Sequence, residues 1–277
     1  MNETTAKQSA PLLGAAMPIR SIAAHRDWLL EEGGRDLEIQ DSFHARALDS
    51  DWAPLVAQAR TALDGYAGRL GIHGPYDGLS IASTDPAVQQ FVAGRYLRAL
   101  EFAAALGATH MVIHSPFLFF GHPQVAHSPE NGLAQELEAA HQTLASVLSV
   151  ASGLGLTLVI ENICDTNPAP LLELVRSFDS PWVRLGLDVG HVHLMQRIGG
   201  PTPDAWVRQA RSLLGHLHLQ DNDGTYDYHW NPGQGGVNWW ALFAALAETA
   251  GAPRLILETK GSVLPAAHWL ARQGFAR

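Results

Sequence analysis

Cysteine is nearly absent. Cys164 is the only one in 277 residues, which excludes a disulfide framework and points to a reducing, cytoplasmic setting. Positive charge is scarce as well. Lysine and arginine number 18 against 27 aspartates and glutamates, a formal net charge of −9 at pH 7. That balance weighs against a polyanionic partner, so no nucleic acid is expected. No apolar run approaches the roughly 18 residues of a membrane span, and no membrane association is expected. Residues 1–9 are polar and read as a disordered tail. The apolar PLLGAAMPI that follows lacks a basic flank and reads as a first strand rather than a signal peptide.

What is present is enough apolar material, 47% of residues, to fill a large core. The length suits either two small domains or one α/β barrel of roughly 250 residues. Short β-branched or alternating runs at 12–17, 36–40, 72–74, 109–114, 156–161, 183–188, 216–220 and 254–258 read as strands. Between and after them, stretches with helical spacing run over 21–32, 52–70, 86–106, 129–154, 169–178, 203–214, 239–250 and 264–272, several stopped by glycine. No linker, low-complexity segment or charge run divides the chain. Strand–helix alternation with short connections predicts a single (β/α)8 TIM barrel over 10–277, with its active site at the C-terminal ends of the strands. A doubly wound open sheet is disfavoured, because no glycine-rich phosphate loop follows any strand.

The richest stretch is 215–240, GHLHLQDNDGTYDYHWNPGQGGVNWW. It delivers His218 from a strand, then Asp221, Asp223, Asp227 and His229 from the following loop. Mixed imidazole and carboxylate donors suit zinc, manganese or iron(II). The other strand ends carry the same residue types. His73 ends the third strand, His114 the fourth, Glu161 the fifth and Asp188 the sixth, with His191 just beyond; Glu258 ends the eighth. Strands one and two offer nothing comparable. A barrel would gather His73, His114, Glu161, Asp188, His191, His218, Asp227, His229 and Glu258 at one mouth. The carboxylates among them would repel one another strongly without a cation. One to three divalent ions are expected, manganese or zinc foremost.

The segments IHGPY, VIHSP, VIEN, GLDVGH, HLHLQDN, DYHWNPGQGG and ILET, in that order from about Ile72 to Lys260, resemble the xylose-isomerase-like TIM-barrel superfamily. This superfamily unites sugar isomerases and epimerases with class II apurinic endonucleases. The isomerase branch implies one divalent ion held by Glu161, Asp188, His218 and Glu258. Glu161 and Glu258 would then move a proton on opposite faces of a ketose, and His191 would orient the substrate. The endonuclease branch implies three zinc ions, with His73, His114, His191, Asp227 and His229 completing the set and Glu161 bridging two of them. One departure stands out. Sugar epimerases of this type often carry an arginine about six residues beyond the seventh-strand histidine, where this chain has Gly224.

Charge at the mouth separates the branches. The loops after strands three to five, and the whole of 220–238, contain no lysine or arginine. Arg197 and Lys260 fall in later loops, with Arg20 and Arg46 near the first two. Duplex DNA demands many basic phosphate contacts, so an apurinic endonuclease is disfavoured. The mouth is instead aromatic: Tyr76, Phe117 and Trp230 are candidate substrate-binding residues, beside Phe119, Phe120, Tyr226 and Tyr228. PFLFF and the Trp239–Trp240 pair also read as core packing or a subunit interface, so a homodimer is admitted. Lys260 is a further catalytic candidate, as an electrophile near the substrate oxygen.

The expected function is therefore a divalent-metal-dependent isomerase or epimerase acting on a small, unphosphorylated sugar or keto-polyol. A lyase working through the same enediolate would use the same residues. A multinuclear metallohydrolase cleaving a small phosphoester is the alternative. A non-catalytic sugar- or metal-binding barrel is the third reading, and the pair Glu161 and Glu258 argues against it.

Overall fold

The computed structural model describes residues 10–117, 132–249 and 251–277. The expected N-terminal tail, Phe119 and Phe120 lie outside them. Eight strands form one closed parallel barrel in sequence order: β1 (Leu13–Met17), β2 (Leu37–Ile39), β3 (Leu70–His73), β4 (His110–His114), β5 (Thr157–Glu161), β6 (Val183–Asp188), β7 (Leu214–Leu219) and β8 (Arg254–Leu257). The ring closes where β8 pairs with β1 through Leu13 opposite Leu255 and Ala15 opposite Leu257. These strands are short and largely buried, as parallel strands covered on both faces are.

Local signals set the long outer helices. Helix Pro86–Leu106 begins where the Asp85 side chain accepts from the Ala87 N–H at 2.8 Å, with proline in its first turn. It ends at Gly107, which adopts the left-handed conformation. It contributes Val92, Tyr96, Ala99, Leu100, Phe102 and Ala103 to the core and packs beside helix Gly132–Gly153.

Two expected helices end early. The run over 52–70 is helical only across Ala53–Ala62. Gly65 takes a positive φ, and the Tyr66 hydroxyl donates to the carbonyl oxygens of Arg35 and Arg69, so the chain turns irregularly before Leu70 enters β3. The helix over 203–214 stops at Ala210, and a tight 3-10 turn, Arg211–Leu213, delivers Leu214 into pairing with Leu185. A helix not foreseen, Val189–Met195, starts directly from the end of β6, capped by Asp188. No helix among the described residues is long and apolar enough to cross a membrane.

Candidate active site

The strand ends converge as the barrel frame requires. Glu161, Asp188, His218 and Glu258, from β5 to β8, are all buried, and one donor atom from each lies within 4.8 Å of the others. Glu161 Oε1 is 2.5 Å from His218 Nδ1, and Glu258 Oε2 approaches the same nitrogen at 3.3 Å. Asp188 Oδ1 accepts from the His191 N–H at 2.6 Å and from Gln220 Nε2 at 3.2 Å. Its Oδ2 is buried without a hydrogen-bond partner. A buried carboxylate oxygen left unpaired is costly. Here it belongs to a group with the donor set of a divalent ion, so the residues present fit such an ion.

Two further groups flank this one. His73, His114 and Glu161 share one cluster; His191, Asp227 and His229 form another. Glu161 Oε2 lies 3.6 Å from His73 Nε2 and 3.9 Å from His114 Nε2, so this carboxylate joins the central group to the first flank. On the other flank, Asp227 Oδ2 is 2.9 Å from His229 Nε2 and 3.4 Å from His191 Nε2.

Main-chain oxygens aim three of these rings. The Nδ1 atoms of His73, His191 and His229 face the carbonyl oxygens of Gly74 (2.9 Å), Asn162 (3.1 Å) and Glu258 (2.9 Å). Donation there fixes the tautomer and leaves Nε2 pointing into the mouth, the usual support of a metal-ligating imidazole.

Electrostatics bind the groups together. Burial works to raise the Glu161 carboxyl, but the His218 ring charge and hydrogen bonds from His218 and His73 outweigh it and hold it well below the usual carboxylate range. Asp188 is pushed up to about 6, by burial first and then by Glu161, Asp227 and Glu258, against the opposing pull of His191. Burial lowers the His114 ring to about 3, helped by the charge on His73. Burial also opposes charge on the His229 ring, but Asp227 and Glu258 outweigh it and raise that ring to about 9.

The expectation that the first two strands contribute nothing is corrected. Gln40, just past β2, donates from Nε2 to Glu258 Oε1 at 3.0 Å. Glu38, inside β2, is fully buried, and its Oε1 lies 3.1 Å from His218 Nε2. Its Oε2 faces His216 Nε2 at 3.3 Å and His110 Nε2 at 3.7 Å. Gln220 was also missed; besides Asp188 it holds Asp227 Oδ1 at 2.7 Å. Gly190 makes this possible, because a β-carbon there would collide with the Gln220 amide.

The loop after β7 is folded around Asp221, which is buried. Its carboxylate accepts from the N–H groups of Gly233 (2.8 Å), Asn222 (3.0 Å) and Val237 (3.2 Å) and from the Trp239 indole at 3.0 Å. Asp221 is thus a staple that presents Asp227 and His229. Asp223 is exposed and caps the turn at Thr225.

Tyr76 is half-buried and stacks on His114 at 4.6 Å between ring centroids, beside the first flank. Trp230 stacks on Tyr228 at 4.4 Å, and its backbone pairs with Asp221. Phe117, just past β4, is buried and joins the hydrophobic core. Lys260 is exposed, and its main-chain N–H donates to the His229 carbonyl oxygen at 2.9 Å. Arg197 runs alongside Gly224, filling the space next to the position where an arginine was expected.

Known proteins share this frame. A D-tagatose 3-epimerase-like protein matches with a TM-score of 0.75 at 21% identity, over 94% of this chain and 96% of that one. The TTHB071 protein from Thermus thermophilus, in a crystal soaked with ZnCl2, matches with a TM-score of 0.70 at 26% identity, over 96% and 99%. The uncharacterized protein MJ1311 of Methanocaldococcus jannaschii is 24% identical over 194 residues, which is 67% of this chain and 62% of that relative's length. The sequence model of the xylose isomerase-like TIM barrels matches residues 28–275. With almost the whole barrel inside that match, the chain belongs to the xylose isomerase-like TIM barrel family.

Proposed function

We propose that this protein is a divalent-metal-dependent isomerase or epimerase acting on a small, unphosphorylated sugar or keto-polyol by proton transfer through an enediolate. The observation that carries the reading is the central group: Glu161, Asp188, His218 and Glu258 within reach of one ion, with Asp188 Oδ2 buried and unpaired. The fold it shares with a D-tagatose 3-epimerase-like protein supports it. A divalent ion held there would supply Lewis-acid polarisation of a substrate carbonyl.

The chain's own residues do the rest. Glu161 is kept ionised by His218 and His73 and, from its place in the central group, takes a proton from the carbon beside the carbonyl. Glu258 enters from β8, with Gln40 on one oxygen and His218 on the other, and returns the proton from the opposite side. His191 sits between Asp188 and Asp227 and orients a substrate hydroxyl. The ring of Tyr76 shields the site from water. Among the described residues, neither Glu161 nor Glu258 contacts a lysine or arginine, which favours a neutral sugar over a phosphorylated one.

The test is solvent exchange. The metal-loaded protein is incubated in D2O with a panel of free ketoses, and deuterium at the carbon next to the carbonyl is followed by NMR. Exchange in at least one ketose supports the reading; none in any, with metal bound, sinks it. A second reading, a multinuclear hydrolase of small phosphoesters, is favoured by one observation. Glu161 faces His218 with one oxygen and His73 and His114 with the other, as a carboxylate shared between two ions would.

A further inference from the structure

His218 breaks the pattern of its neighbours. His73, His191 and His229 are each aimed by a main-chain oxygen on Nδ1, leaving Nε2 for the mouth. His218 is turned the other way: Nδ1 faces Glu161 and Glu258, and Nε2 faces the Glu38 carboxylate at 3.1 Å, in the barrel interior. Glu38 and His218 are both fully buried, on strands from opposite sides of the ring closure. The second oxygen of Glu38 is flanked by His216 on β7 and His110 on β4, both buried. The His110 ring fits only because β3 carries glycine at 71, where a β-carbon would run into the imidazole. Two more histidines and a glycine are thus arranged around one buried carboxylate inside the barrel, with Arg254 at the start of β8 close enough to act on all three charged or titratable groups.

We infer that Glu38 is a positioning residue for the metal site: it accepts the Nε2–H of His218, so that the Nδ1 lone pair is presented to an ion shared with Glu161, Asp188 and Glu258. The inference rests on the metal-dependent reading above. A carboxylate behind a ligating imidazole fixes its tautomer and ring angle and makes the ligand more basic, and removing such a partner typically costs about 10–100-fold in metal affinity or activity. A main-chain oxygen acts in the same direction but, carrying no full charge, more weakly. His110 and His216 flank the second oxygen of Glu38 at 3.7 and 3.3 Å and lie outside the central group.

The test is zinc affinity, measured on the stripped full-length chain by competition with a chromophoric chelator, with the thermal midpoint read on the same samples. Glu38→Gln keeps the shape and removes the charge, so it is expected to fold and to bind zinc about 10-fold or more weakly than wild type. Glu38→Asp keeps the charge but retreats by one methylene, and a several-fold loss is expected; this variant decides the matter if the glutamine form does not fold. A purely packing role would shift the thermal midpoint and leave affinity alone. A folded variant binding zinc within twofold of wild type overturns the inference while leaving the proposed function standing. Wild type that takes up no zinc, manganese or iron(II) overturns both.

Discussion

Glu161 Oε1 and His218 Nδ1 meet at 2.5 Å, with both residues buried. Two groups that close, one acidic and one basic, share a proton or share a cation. Either way the charge on Glu161 sets the state of the whole mouth, because its other oxygen also faces His73 and His114.

Glu161→Gln follows directly. The amide keeps the volume but removes the base and the charge that holds His218 and His73. We expect kcat to fall on the order of 10³-fold or more, within the usual range for losing a general base, with the circular dichroism spectrum unchanged. Steady-state kinetics at saturating metal check this, and a variant with normal turnover would falsify both catalytic readings.

Gln40→Ala tests the support of the second carboxylate. Gln40 Nε2 donates to Glu258 Oε1 at 3.0 Å, and without it Glu258 is free to rotate away from His218. We expect kcat to drop roughly 10-fold with little change in thermal midpoint, as for loss of an outer hydrogen bond on a ligand. If kcat is retained and KM alone rises, Gln40 binds substrate instead of holding Glu258.

The barrel and most of the mouth were legible in the sequence because strands three to eight are short apolar runs with a histidine or an acid at or next to their ends. Glu161, Asp188 and His218 sit where VIEN, GLDVGH and HLHLQDN put them, at or next to a strand end. Glu38 was not legible. In DLEIQ it alternates with apolar residues, the pattern of a strand with one wet face. In a closed barrel the alternate face points into the interior, so the same alternation buries the acid. His110 and His216 were obscured likewise, as the flanks of apolar runs. The usable signal was Gly71: a glycine in a barrel strand beside strands carrying Glu38 and His110 marks the space that large polar side chains need. The early ends of the helices at Ala62 and Ala210 were hidden because apolar residues continue past them into the next strand.

Asp165 gives a pH prediction outside the cluster. It is buried in the loop after β5, accepting from Oγ of Ser115, just past β4, at 2.7 Å and from the Ile163 N–H at 2.9 Å. Burial pushes its carboxyl up to about 7 despite those hydrogen bonds. The folded state therefore holds a proton that the unfolded state has already lost, and this contribution to stability declines as pH rises from about 4 through 7. An asparagine in its place would stay neutral throughout, with its oxygen on Ile163 and its amide on Ser115. Asp165→Asn is expected to gain thermal midpoint relative to wild type between pH 5 and 8, by several degrees, since one pKa unit corresponds to about 1.4 kcal/mol. Thermal melts of both proteins across that range check it; parallel curves would remove Asp165 as the source.

The two catalytic readings part at His73 and His114. Both rings lie near Glu161 Oε2, His73 at 3.6 Å and His114 at 3.9 Å, and neither belongs to the central group of four. If one ion does the chemistry, these rings only trim the field around Glu161 and the floor beneath Tyr76. His73→Ala and His114→Ala should then cost less than about 10-fold in kcat/KM, about 1.4 kcal/mol of transition-state stabilisation, and leave one tightly held ion by plasma mass spectrometry. If a second ion sits on Glu161 Oε2, either change removes a ligand outright. One equivalent of metal should then be lost, together with roughly 100-fold or more in turnover, on the order of the contribution of an acid–base group. We expect the first outcome, because the unpaired oxygen of Asp188 leaves an unmet demand for a cation in the central group, and no unpaired buried atom lies on either flank among the described residues. Loss of a full equivalent with collapse of activity in both variants would move the assignment to the phosphoester hydrolase.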